Sequence, residues 1–313
     1  MQNFLISFEV IFPIFLLMVL GFFVRRVNIL SDGTVKQLNN SVFRVFLPVM
    51  VFKNIYESEI EEVFDLRMIL FAVIAVVCCI AVLYIAIPLT VKENARRGVM
   101  IQAIFRSNFV IFGLPVTEAL CGRSASGTAS VLVAIVIPLF NLAAVVTLEL
   151  FRSNKPNFKK IMRGIVTNPL IIASLLGLAV SLCGVRFPTV IEKTVGNVAS
   201  IATPLALIVL GASLRFSSVG RNMRCLLFGV TSKLILVPAV FLSIAAFGLG
   251  FRGEKLAILL TLFASPTAVS SFTMAQQMGG DDELAGQLVV FGTTACVLTM
   301  FLWIFLAVSL GLI

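Results

Sequence analysis

The sequence predicts an all-α integral membrane protein with ten transmembrane helices, arranged as two inverted five-helix repeats in which helices 4 and 9 are broken and cross. Three observations predict it. The composition is too apolar for a water-soluble core, apolar stretches of membrane-spanning length recur along the chain, and interruptions fall in matching spans of its two halves.

Of 313 residues, 59% are hydrophobic and 12% charged, with a mean hydropathy of +1.09, well outside ordinary globular usage. Runs able to cross a hydrocarbon layer of about 30 Å fall near 4–24, 67–88, 128–151, 226–248 and 284–311, and more polar ones near 36–55, 98–120, 165–185, 190–214 and 255–278. The first run has no basic leader and is closed by Arg25-Arg26, so it is expected to be a retained span rather than a signal peptide. The chain has no histidine, and its six cysteines form no CxxC pair. No metal site or cofactor is therefore expected, and Cys78, Cys79 and Cys296 are expected to be packing residues.

The net charge of +9 is explained by topology rather than by nucleic acid. One side of the ten spans collects Arg25, Arg26, Lys36, Lys92, Arg96, Arg97, Arg152, Lys155, Lys159, Lys160, Arg163, Arg215, Arg221 and Arg224. The other holds Lys53, Arg67, Arg123, Arg186, Lys193, Arg252 and Lys255. Basic residues favour the cytoplasmic side, so the first side is expected inside a cell membrane and both termini outside. The acidic run 57–65 then lies outside, and Arg44 and Lys233 come within snorkelling reach of the cytoplasmic face.

A shift of 156 positions places Pro13 on Pro169, Leu20 on Leu176, Gly21 on Gly177, Val24 on Val180, Val42 on Val198 and Pro48 on Pro204. Apolar sequence matches itself often, which covers the Leu and Val identities but less easily two prolines and a glycine. Matching Pro115 to Pro266 drops the shift to 151. A repeat of five spans enters the membrane a second time from the opposite face. The halves are then 1–151 and 165–313, joined by a basic cytoplasmic connector at 152–164.

Interrupted helices mark where chemistry can sit, because unpaired backbone groups are tolerated in hydrocarbon only around a cavity or within protein. One interruption runs from Arg106-Ser107-Asn108 to Gly113-Leu114-Pro115, where Pro115 is suited to open a new helical segment; the other is Ala264-Ser265-Pro266-Thr267, with Ser265 as N-cap and Pro266 as first helical residue. Each restart presents free N–H groups and a positive half-dipole, and two such ends form an anion site. The plain alternative is that these prolines only kink packed helices. At 1.5 Å per residue, Pro266 lies about 16 Å beyond Lys255, and Asn108 about as far beyond Arg97, both near the midplane.

The stretch Asn108-Phe109-Val110-Ile111-Phe112-Gly113-Leu114-Pro115 resembles the fourth-span motif of the auxin efflux carrier family, and Pro266 to Phe272 with Ala275 and Val290-Phe291-Gly292 resembles its ninth and tenth spans. That family includes plant auxin exporters and bacterial permeases for malate, malonate and related acids. The resemblance implies alternating access on a scaffold shared with bile-acid and some sodium–proton carriers. It carries over Asn108, Gly113, Pro115 and Pro266 as crossover or substrate positions and Asn141 as a substrate-side position.

Arg106 and Glu118 depart from the plant pattern, which argues against auxin itself. An intramembrane arginine costs about 2.5–3.5 kcal/mol on insertion scales; Arg106 is expected to grip a substrate carboxylate, unless it snorkels or pairs with Glu149. Ser265, Thr267, Ser270 and Ser271 either line the cavity or bond backbone. With no histidine, Glu118 and Glu149 are the candidates for proton coupling; sodium coupling and pairing of protomers stay open.

The expected function is thus secondary transport of a small organic anion, not enzymatic catalysis. A lipid-substrate enzyme would need a paired-carboxylate, His or Ser-base constellation, and no P-loop is present. A channel or a sensor on the same scaffold remains an alternative.

Overall fold

The computed structural model describes residues 2–57, 65–122, 124–152, 162–164, 166–213 and 219–313. Most of the acidic run 57–65 and of the connector 152–164, together with Arg123 and Arg215, lie outside them. Among the described residues every regular element is a helix. In chain order these are α1 (Gln2–Arg26), α2 (32–56), α3 (Leu66–Thr90), α4 (Asn94–Phe105), α5 (Phe109–Cys121), α6 (Ser124–Leu150), α7 (Pro169–Leu182), α8 (Thr189–Ser213), α9 (219–248), α10 (Gly253–Ala264), α11 (Ser270–Met278) and α12 (Asp282–Ser309).

Among the described residues, five stretches are long and apolar enough to cross a bilayer: Leu66–Thr90, Val131–Leu150, Thr189–Ser213, Gly220–Gly248 and Asp282–Ser309. Helix α3 shows why. It exposes Leu70, Ile74, Val77, Val82, Ile85 and Leu89 while burying Ala72, Val76, Cys79, Leu83 and Ile87. A helix apolar on both faces has no side for water, so its outer face suits lipid.

Polar caps set several helix starts. Ser31 accepts from Thr34 N–H, Asp65 from Met68 N–H, Asn168 from Leu170 N–H and Asp281 from Leu284 N–H, at 2.9–3.1 Å. Each cap satisfies a donor that the first turn cannot pair internally. Three π-turns, Val42–Phe46, Phe109–Gly113 and Ser232–Leu236, each end two residues before a proline: Pro48, Pro115 and Pro238. A proline ring collides with the carbonyl four residues back and offers it no N–H, and a widened turn relieves both faults inside a continuing helix. The carbonyl left over by Pro238 is that of Leu234, and the Trp303 indole N–H donates to it at 2.9 Å.

Two groups of helices result. In one, α1 lies along α8, the C-terminal half of α2 lies along α7, and α2 and α8 pack together. In the other, α4 sits on α3 and α6, α5 on α6 and α10, and α12 on α9 and α11. The groups touch where α1 meets α12 and where α7 meets α6.

Small residues set the closest approach within the first group. A Cβ at Gly21 would stand 2.0 Å from the Ile208 carbonyl oxygen, and one at Gly211 would stand 1.9 Å from that of Met18. Gly177 plays the corresponding part between α7 and α2, where a Cβ would meet the Phe52 carbonyl at 3.0 Å.

Gly211→Leu forces α1 and α8 apart and should cost about 1–3 kcal/mol, the usual range for overpacking, read as an earlier thermal unfolding midpoint in detergent; an unchanged midpoint would contradict the close approach. Asp65 caps α3 and pairs with Lys255 at the start of α10. The Lys255 ammonium, and then the Met68 amide, hold its carboxyl below the usual aspartate range. Its contribution is therefore complete above that range, near pH 4, and fades as pH falls through the lowered value. Wild type should exceed Asp65→Asn in unfolding temperature at pH 7, with the gap closing toward pH 3; a gap independent of pH would refute the pairing.

Candidate functional site

Both interruptions are present, and they meet. Helices α4 and α10, each of 12 residues, end in extended backbone at Arg106 (ψ 122°) and Ser265 (ψ 149°). The unwound segments then pass antiparallel. Ser107 bridges Thr267, and Asn108 N–H donates to the Pro266 carbonyl at 2.8 Å. Side chains take up neighbouring backbone groups: Thr267 Oγ1 donates to the Ala103 carbonyl at 2.7 Å, Gln102 Nε2 to that of Ser271 at 3.0 Å, and Cys296 Sγ to that of Ala264 at 3.4 Å. Thr117 and Thr261 join α5 to α10 through their hydroxyls at 2.6 Å.

The position of the breaks differs from the sequence expectation in two respects. Ser265 closes α10 instead of capping α11, because the residue before a proline is pushed out of helical geometry. Pro266 therefore lies in the extended segment, and α11 starts at Ser270. Nor does the chain break at Gly113-Leu114-Pro115. That stretch belongs to α5, whose π-turn accommodates Pro115, and the interruption is confined to residues 106–108. Helices α4 and α10 end 159 positions apart, at Arg106 and Ser265, while Pro115 and Pro266, 151 apart, occupy different settings, one inside α5 and the other in the extended segment.

A cavity of about 50 Å³ lies where the two helix groups face each other beside the crossing. Its wall on the crossing side is Arg106 to Ile111 and Ala268 to Ser270, with Ile137, Phe140 and Asn141 of α6. The first turn of α5 and the residues leading into α11 thus line the same space. Leu47, Met50, Val51 and Asn54 of α2 and Thr203 and Ala206 of α8 close the other side. Since one water needs roughly 10–15 Å³ of such space, the cavity takes only a compact group with the helix groups at this spacing.

Arg106 is the charged residue of this wall and is 5% exposed. Its guanidinium donates to Asn141 Oδ1 at 2.6 Å and touches the Met274 sulfur. Asn141 in turn donates to Ser174 Oγ of α7 at 3.1 Å. Neither of the duller fates holds for Arg106: it does not reach the surface, and Glu149 pairs instead with Arg152 at 3.2 Å. Ser107 Oγ and Asn108 Nδ2 are buried without a hydrogen-bond partner among the described residues, an arrangement that costs about 1–3 kcal/mol per group unless something fills it.

The remaining candidates separate by position. Ser270 lines the cavity. Ser265 bonds its own helix through the Thr261 carbonyl, Thr267 holds the crossing, and Ser271 Oγ is buried and unbonded. Gly113 is a packing position, since a Cβ there would stand 2.4 Å from the Phe109 ring and 3.1 Å from Ser265 Oγ. Pro115 and Glu118 are exposed on α5 away from the cavity wall, and Glu149 is likewise absent from that wall.

The α2 and α8 side of the cavity went unread in the sequence, although a signal existed. Leu47 with Thr203 and Met50 with Ala206 stand 156 apart and flank Pro48 and Pro204. A second space, of about 610 Å³, opens along the same seam, with Arg25, Lys36, Ser213, Gln276, Asp282 and Glu283 on its wall. Between the two spaces along α2 comes Asn39, whose amide donates to Gln276 Oε1 at 2.5 Å.

A sequence profile described as "Membrane transport protein" matches residues 6–159 and 157–304. Among similar proteins, a transporter of unassigned substrate from Methanothermobacter thermautotrophicus is 23% identical, covering 95% of this chain and 97% of its own length. A protein of Rhizobium meliloti provisionally named a malonate transporter is 23% identical over 93% of this chain and 92% of its own. An auxin efflux carrier component 3a of Oryza sativa is 25% identical over 42% of this chain and 22% of its own. The chain is a multi-pass membrane protein and belongs to the membrane transport proteins of the auxin efflux carrier family.

Proposed function

We propose that the chain is a secondary carrier of small organic anions, mono- or dicarboxylates such as malate or malonate or auxin-like acids, working by alternating access. The observation that carries this reading is the cavity itself. Two helix N-terminal ends, the Arg106 guanidinium and the unpaired Asn108 amide border one space, and each favours negative charge. Beyond Arg106, the wall offers the neutral polar groups of Asn54, Asn141, Thr203 and Ser270 among mostly apolar side chains. One carboxylate is held by charge, and the rest of the acid by neutral groups and apolar contact.

The architecture in this reading is ten spans in two inverted repeats, 1–151 and 165–313, joined by the basic connector at 152–164. Several equivalences support it. The contacts of α1 with α8 and α12 mirror those of α7 with α2 and α6, and Gly21 and Gly177 serve matching close approaches. Cavity residues 109, 110 and 111 stand 159 positions before 268, 269 and 270. Repeats related in this way give two similar packings across one seam, the basis of rocking around a fixed site. The 610 Å³ space bordered by Arg25 and Lys36 is then the cytoplasmic vestibule, with both termini outside a cell membrane.

The test is transport by purified protein in proteoliposomes, with labelled malonate, malate and indole-3-acetate. Saturable uptake with counterflow is expected, and Arg106→Ala and Asn108→Ala should each lower it at least tenfold while the protein still inserts and elutes as wild type. Full transport in both variants would defeat the site, and uptake without counterflow would make the protein a channel.

A further inference from the structure

Two charged side chains of the described residues are buried, Arg106 and Lys233, and both are cations; the buried residues include no Asp or Glu. Arg106 is accounted for by the cavity. Lys233 is not. It was expected to snorkel to the cytoplasmic surface, but it is 2% exposed and sits near the middle of Gly220–Gly248, inside the π-turn Ser232–Leu236. At 1.5 Å per residue it lies roughly 20 Å from either end of that stretch, beyond the reach of a four-carbon stem.

Among the described residues its surroundings hold no counter-charge. Its titratable neighbours are Cys79, near the middle of α3, and Cys296, near the middle of α12. The π-turn also packs on α4 and α10. Their other charged groups are engaged at the far ends of those helices: Arg96 with Asp281, Arg97 with the Val91 carbonyl and Asn94, Glu254 with Thr128, and Lys255 with Asp65. On α12, Asp282 and Glu283 lie at its start, bonded to Gln276 and Arg221. Cys296 connects this region to the crossing, because its thiol donates to the carbonyl of Ala264, the last residue of α10.

An ammonium without a partner in such surroundings costs several kcal/mol, and lysine differs from arginine in that it can shed the charge. An intramembrane ionisable group with no structural partner marks a functional position. Resting on the carrier reading above, we propose that Lys233 is the proton-binding group of this transporter. It takes one proton from water on the side where an organic anion enters the cavity and returns that proton to water on the side where the anion leaves.

Arg106 supplies the fixed charge that meets the carboxylate, and Lys233 the exchangeable one. A monoanion then crosses together with one proton and no net charge moves with the pair. By linkage, bound anion favours the ammonium form and the ammonium form favours the anion. The carboxylates first considered for coupling, Glu118 and Glu149, lie off the cavity wall, and Glu149 already has Arg152.

The test uses the purified full chain in proteoliposomes with labelled malonate, malate and indole-3-acetate, protein-free vesicles being subtracted. Wild type should show counterflow at equal pH and several-fold faster uptake when the outside is made acid. Lys233→Met and Lys233→Arg should keep the counterflow and lose the response to the gradient. Detergent-solubilised wild type in weak buffer, at an alkaline pH where the anion-free lysine is neutral, should also take up about one proton per anion bound, a readout that needs no variant to fold. Gradient-driven uptake in Lys233→Met equal to wild type, or wild-type counterflow with neither gradient response nor proton uptake, would overturn the proposal. Absence of counterflow with all three acids would instead overturn the carrier reading, and this proposal with it.

Discussion

Two segments of backbone, 106–108 and 265–269, leave the helix in the middle of an apolar protein, and hydrocarbon offers their peptide groups no partner. The antiparallel contact of Ser107 with Thr267 and the bond from Asn108 N–H to Pro266 answer that demand by setting each segment against the other. In hydrocarbon an unpaired group costs several kcal/mol, so neither break is affordable alone. Thr267, Gln102 and Cys296 complete the arrangement by binding carbonyls of α4, α11 and α10. What the crossing leaves over is the leading end of each second half, and both ends border the cavity. The cavity is thus a direct consequence of how the backbone is satisfied.

The seam beside the crossing has a different character from the rest of the interior. Within one helix group, Gly21 and Gly211 let α1 and α8 meet backbone to backbone. Across the seam the contacts include two spaces and a few polar links, among them Asn39 with Gln276 and Asn141 with Ser174. Tight packing resists sliding, whereas an interface with voids and exchangeable hydrogen bonds supports two arrangements of nearly equal energy. In the proposed rocking motion Arg106, Asn108 and Ser270 would be carried on one group and Met50, Thr203 and Ala206 on the other.

Much of this was legible in the chain because hydropathy and punctuation residues act locally. The interruptions running from Arg106-Ser107-Asn108 to Gly113-Leu114-Pro115 and at Ala264-Ser265-Pro266-Thr267 stand out as polar or proline-bearing residues in apolar runs; Arg106 among them lines the cavity, as does Asn141, which only the family resemblance pointed to. The direction in which a proline acts was harder to read. Pro266 ends a helix through its effect on Ser265, while Pro115 stays within one because a π-turn absorbs it, and both choices depend on tertiary contacts. Lys233 was misplaced because depth along a helix does not reveal which way a long side chain turns. Leu47, Met50, Thr203 and Ala206 carry no chemistry of their own, and only the facing crossing gives them a role.

The central claim is that an organic anion sits where the two broken helices meet. A cryo-EM map of the protein in lipid nanodiscs with saturating malonate, compared with one without it, tests this most directly. The account predicts added density against Arg106, Asn108 and the leading residues of α5 and α11, with both segments unwound in each map. Continuous helices through 105–109 and 264–270, or added density at a different place in the seam, would contradict it.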